Sequence, residues 1–160
     1  MRVSLKILIF SFLCFNGFSQ GISASGNWTY SVPVNTITEA GSDYSFVPVS
    51  ASNQTLLDLS NLKSSPTFTV MVNKVDSDWN NLLNLQVKRI GTGGLGKKGG
   101  TISGGVDYIS ITNSPQVFFS GSNISEKSIN DITLQYGLNG ISVLLPVKTY
   151  TTTVVYTISN

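Results

Sequence analysis

Histidine is absent from this chain, and its single cysteine, Cys14, lies close to the N-terminus. These two shortages remove most nucleophilic chemistry, because an activated serine or cysteine relies on an imidazole beside it. Histidine-bearing zinc sites and disulfide staples go with them. Charge is scarce, at 11% of residues, and no acidic or basic run occurs. Such a surface has no long-range pull on nucleic acid or anionic membranes, so nucleic acid is not an expected partner. Eight acidic residues remain for carboxylate-only catalysis, but no spacing singles out a pair. The sequence therefore points away from an enzyme.

What is present begins with a leader. Arg2 and Lys6 give a positive start, Ile7 to Phe15 form an apolar core, and Gly17-Phe18-Ser19 places small residues before Gln20. That is the layout of a secretory signal peptide over residues 1–19, and its apolar run is too short to span a bilayer comfortably. Lipid attachment at Cys14 does not fit, because Leu13 is not small and Cys14 lies inside the apolar core. Removing the first 19 of 160 residues leaves 141, enough for one domain over 20–160 with its own core. Loss of Arg2 and Lys6 brings the 10 basic residues down to 8, equal to the 8 acids. The expectation is an exported, formally neutral protein, secreted or held at the cell surface, with no transmembrane segment after cleavage.

The chain past Gln20 alternates in the period of strands. Its clearest stretch is Ile132 to Asn160, where Ile132, Leu134, Tyr136 and Leu138 share one face. Asn139-Gly140 then suits a tight hairpin turn, and Ile141, Val143 and Leu145 resume the pattern. A third strand follows Pro146, with Tyr150, Thr152, Val154, Tyr156 and Ile158 on one side. Upstream, alternation predicts strands at 27–34, 57–60, 67–73, 83–88, 108–112 and 116–120, with a short one beginning near Tyr44. Residues 76–81 and the Gly-rich 91–105 read as loops. Eight or nine short strands without an apolar helical stripe indicate an all-β two-sheet sandwich, with a barrel as the alternative.

Three motifs invite chemistry and lose it on context. Gly91-Thr92-Gly93-Gly94-Leu95-Gly96 matches the dinucleotide fingerprint, but Lys97-Lys98-Gly99-Gly100 cannot supply the helix that would hold a pyrophosphate. The same stretch nearly fits a phosphate loop, with Lys98 where serine or threonine must bind magnesium. No nucleotide or other cofactor is expected. Asp76-Ser77-Asp78 opens like a calcium loop, yet Asn81 replaces its glycine and Val87 its closing glutamate, which leaves an Asx-capped turn. Three Asn-x-Ser/Thr matches, at Asn27, Asn53 and Asn123, read as polar surface turns.

Aromatic side chains offer the remaining contacts. Trp79 stands in a polar stretch, and with Tyr108 and Tyr44 it forms the candidate ligand-contact set, suited to stacking on sugar rings. Trp28 lies on an alternating segment and reads as core. Thr151, Thr153 and Thr157 share a face, but Val155 interrupts the row and threonine is simply favoured in strands.

The terminal Lys148-Thr-Tyr-Thr-Thr-Thr-Val-Val-Tyr-Thr-Ile-Ser159, after the Asn-Gly turn and an exported start, resembles the closing strands of bacterial secreted immunoglobulin-like and pilin-like surface proteins. The resemblance implies a non-catalytic module, assembled with itself or another surface protein by strand addition. A secreted carbohydrate-binding module is the alternative expectation, with a glycan as partner.

Overall fold

The computed structural model describes residues 20–33, 44, 46–62, 67–95 and 99–159. The leader expected over 1–19 lies outside them, as do Val34, the Glu39–Asp43 turn and Lys97-Lys98. Among the described residues there are nine strands: β1 Gly21–Ser25, β2 Thr55–Ser60, β3 Phe68–Asp78, β4 Asn84–Arg89, β5 Thr101–Ser103, β6 Ile109–Ser110, β7 Gln116–Ser122, β8 Ile129–Asn139 and β9 Thr151–Ser159. No helix among the described residues is long and apolar enough to cross a membrane.

The strands form two antiparallel sheets, one ordered β1-β2-β8-β4-β6 and the other β5-β7-β3-β9. Alternation sets the inner faces. Leu57 and Leu59 of β2, Val87 of β4, and Ile132 and Leu134 of β8 are fully buried from one sheet, and Val70 and Val72 of β3 from the other. Phe68 and Phe119 meet edge to face between them, with ring centroids 6.4 Å apart. Each such side chain contributes about 1.5–3 kcal/mol by leaving water. With no disulfide, this core holds the sandwich. Gly121 is required beside it, because an added Cβ would fall 2.2 Å from the Phe68 ring.

Four expectations need correction. The C-terminal hairpin does not form: β8 and β9 lie in different sheets, and residues 141–150 carry no ladder. Gly140 (φ 82°) turns the chain where an added Cβ would meet the Leu82 carbonyl oxygen. Val143, Leu144 and Val147 then stand exposed at the end of the sandwich. The strand expected from Asn27 is likewise missing. Its place is taken by β1, in the Gly/Ser-rich lead, whose small residues pair with β2 from Gly21↔Ser60 to Ser25↔Leu56. Nor do the described residues around Tyr44 make a strand; Val49 alone forms a bridge, to Gly137. Finally, β3 continues through Asp76 to Asp78, where a loop was expected, because β9 pairs with it along that length.

The Gly-rich stretch is better anchored than a plain loop. Arg89 points inward and is buried. Its Nε and Nη2 donate to the Gly104 carbonyl at 3.2 and 2.9 Å, and Nη1 donates to the Gly91 carbonyl at 3.2 Å. The guanidinium also lies 5.7 Å from the Phe119 ring centre. Burial lowers its pKa, but an arginine keeps its charge in proteins, and here backbone carbonyls and an aromatic face solvate it. Ile102 of β5 is buried from the same stretch.

Candidate functional site

A cleft of about 980 Å³ opens at the end of the sandwich where β9 begins and β8 ends. Its volume is at the upper end of ordinary ligand sites, about 300–1,000 Å³. The inner faces of both sheets supply its floor: Leu85 and Tyr136 from one, Val154 and Tyr156 from the other. Trp28 and Trp79 form part of its walls. Segment 26–33 borders it on one side and the 141–150 connection on the other.

Aromatic packing explains why segment 26–33 lies here without a ladder. Trp28 stacks on Tyr136 with centroids 6.2 Å apart and planes 12° from parallel. Tyr30 packs against Trp28 at 6.3 Å and against Phe46 at 6.2 Å, and Phe46 meets Tyr44 edge-on at 5.7 Å. Rings thus run continuously from Tyr44 to Tyr136. Trp28 was expected in the core, and it does pack against the core while staying half-buried.

A chain of hydroxyls lies beneath the rings. Tyr136 Oη is 3.1 Å from Thr55 Oγ1 and 3.0 Å from Tyr156 Oη. All three side chains are buried and border the cleft. Burial, then the neighbouring Tyr136, pushes the Tyr156 hydroxyl well above its ordinary pKa, so it keeps its proton.

The candidate contacts separate. Trp79 and Tyr44 both border the cleft, although neither stands free in solvent. Trp79 is half-buried, its Nε1 donates to the Leu83 carbonyl at 3.0 Å, and Lys74 Nζ lies 5.5 Å from its ring centre. Tyr108 lies elsewhere, on the outer face of the five-stranded sheet. It covers Gly137, donates to Gln135 Oε1 at 3.1 Å, and has Lys88 Nζ 4.6 Å from its ring centre. Burial raises its pKa.

Asp76 and Asp78, read as an Asx turn, sit at the end of β3 with one lysine each. Asp76 accepts from Lys74, from Asn113 at 2.8 Å and from Thr152 at 2.8 Å, while Asp78 pairs with Lys148. Among the described residues, no group of three or more acidic, histidine or cysteine side chains is placed to hold a metal.

Sequence reasoning missed Tyr136 and Tyr156 as site residues, because they lie at inward strand positions and read as core, and missed Thr55 because Asn53-Gln54-Thr55 reads as a polar surface turn, whereas Thr55 opens β2 and is buried. Their hydroxyls were the available signal, since inward tyrosines need partners. No protein family, no curated protein and no solved structure matches the chain.

Proposed function

We propose that the protein is an exported, non-catalytic sandwich that serves as a structural or adhesive component of the cell surface and joins a partner by strand addition at β9. The observation that carries this reading is the inequality of the four sheet edges. β1, β5 and β6 are 5, 3 and 2 residues long, and short edges of that kind deter pairing. β9 has 9 residues, Thr-Thr-Thr-Val-Val-Tyr-Thr-Ile-Ser, and ends its sheet. It carries no lysine, acid or proline, the usual guards of an exposed edge. β1 of the facing sheet runs near it without sharing a ladder. Among the described residues no second ladder uses the main-chain groups of this edge, and an edge of that kind suits an extended segment of another chain.

The test is light scattering on the processed protein, residues 20–160, alone and with surface extracts. The expected result is a self-complex or a captured partner that the double substitution Thr153→Lys, Thr157→Lys abolishes while the circular dichroism spectrum stays the same. A strictly monomeric protein that captures nothing would overturn the reading.

Glycan binding is the second reading, and the cleft favours it by gathering Trp28, Trp79 and Tyr44 around one opening.

A further inference from the structure

The three hydroxyls on the cleft floor do not balance. Thr55, Tyr136 and Tyr156 each bring one O–H donor, and Tyr136 joins the other two through only two oxygen–oxygen contacts. Each contact uses one proton. Among the described residues one donor is therefore left over, on whichever hydroxyl, and all three residues are at least nine-tenths buried at 3%, 7% and 9% exposure. A buried donor without an acceptor is costly, and each of these hydroxyls borders the cleft.

The lining also has a definite charge character. Among the described residues that border the cleft, Lys148 alone is charged, and it is already paired with Asp78. Apart from that exposed ion pair, an ionised ligand would find no counter-charge on the described lining. Uncharged polar side chains are plentiful: Asn27, Thr29, Ser31, Thr149, Thr151 and Thr153 stand around the rings. Aromatic faces with neutral hydroxyls and amides around them match a molecule with apolar faces and a polar, uncharged rim.

We infer that this cleft binds a neutral oligosaccharide, with sugar faces on Trp28 and Trp79 and a sugar oxygen accepting the spare proton of the Thr55–Tyr136–Tyr156 chain. This rests on the glycan-binding reading and not on strand addition, although β9 residues line the cleft. Tyr108 plays no part in the contact, because it lies on the outer face of the sheet.

Tryptophan fluorescence and calorimetry on the processed protein test it. The probes are cellohexaose, laminarihexaose, mannohexaose and xylohexaose, with polygalacturonate as the charged comparison. Binding of at least one neutral hexaose is expected to shift the tryptophan emission, with polygalacturonate bound more weakly. Thr55→Val, Tyr136→Phe and Tyr156→Phe keep the shape of the floor, and at least one of them should weaken binding about tenfold, the worth of one buried hydrogen bond. Tyr108→Ala should leave it unchanged.

If a neutral hexaose binds but none of the three floor variants weakens it, this inference falls and the glycan-binding reading stands. Loss of binding in Tyr108→Ala with the floor variants intact places the site elsewhere and also overturns it. If no hexaose binds, both fall, as they do if only fatty acid or detergent enters the cleft.

Discussion

Tyr136 of β8 and Tyr156 of β9 bring their hydroxyl oxygens to 3.0 Å and so join the two sheets by a hydrogen bond through the core. Ladders connect strands within a sheet, whereas this contact ties one sheet to the other. Tyr136→Phe is expected to cost about 1–3 kcal/mol, because it strands both Thr55 and Tyr156. Tyr156→Phe breaks one contact and should cost about 1 kcal/mol. Urea denaturation of both variants checks the order.

Arg89 is expected to tolerate no conservative exchange. Its planar fork reaches the carbonyls of Gly104 and Gly91 together, which one ammonium does not reproduce. Arg89→Lys should lose about 2 kcal/mol, and limited proteolysis should show new cleavage within 91–105.

Asp76 sets the acid limit. Burial works against its charged form, but hydrogen bonds from Lys74, Asn113 and Thr152 outweigh it and hold the pKa below the usual value. A carboxylate depressed on folding stabilises above its unfolded pKa, about 3.9, and that contribution is lost as pH falls through the folded value. Melting temperature should therefore drop below about pH 4 in the wild type. In Asp76→Asn it should start lower and fall less over that range.

Gly140→Ala should be among the costlier single changes outside the core. The new methyl would sit on the Leu82 carbonyl at a left-handed φ of 82°, so the connection that borders the cleft must shift. Destabilisation of about 1–3 kcal/mol is expected, with altered Trp79 fluorescence, since Trp79 is bonded to the adjacent Leu83.

Residue period made the sandwich legible wherever one face met the core, as at Leu57-x-Leu59 and Ile132-x-Leu134-x-Tyr136. Alternation failed where the chain alternates without facing a core. Ile141, Val143 and Leu145 carry the right period, yet they cross between sheets, and Val143 is 55% exposed. Short edge strands were invisible for the opposite reason: β1 and β5 take their conformation from a neighbour, not from their own side chains. At the site, the polar stretch around Trp79 drew attention to a ring that borders the cleft, as does Tyr44, expected at the start of a strand. The floor escaped notice, because a tyrosine on an inward face looks the same in sequence whether or not a cleft opens above it.

The four rims of the sandwich differ in one more respect. Because β9 is the single long rim among the described residues, two copies that join through it use up the capacity of both. Self-pairing by this route closes into a twofold dimer and cannot propagate. A filament of this protein would demand a second, unlike attachment on each copy, so finding long polymers would point to a donor segment lying outside the nine strands.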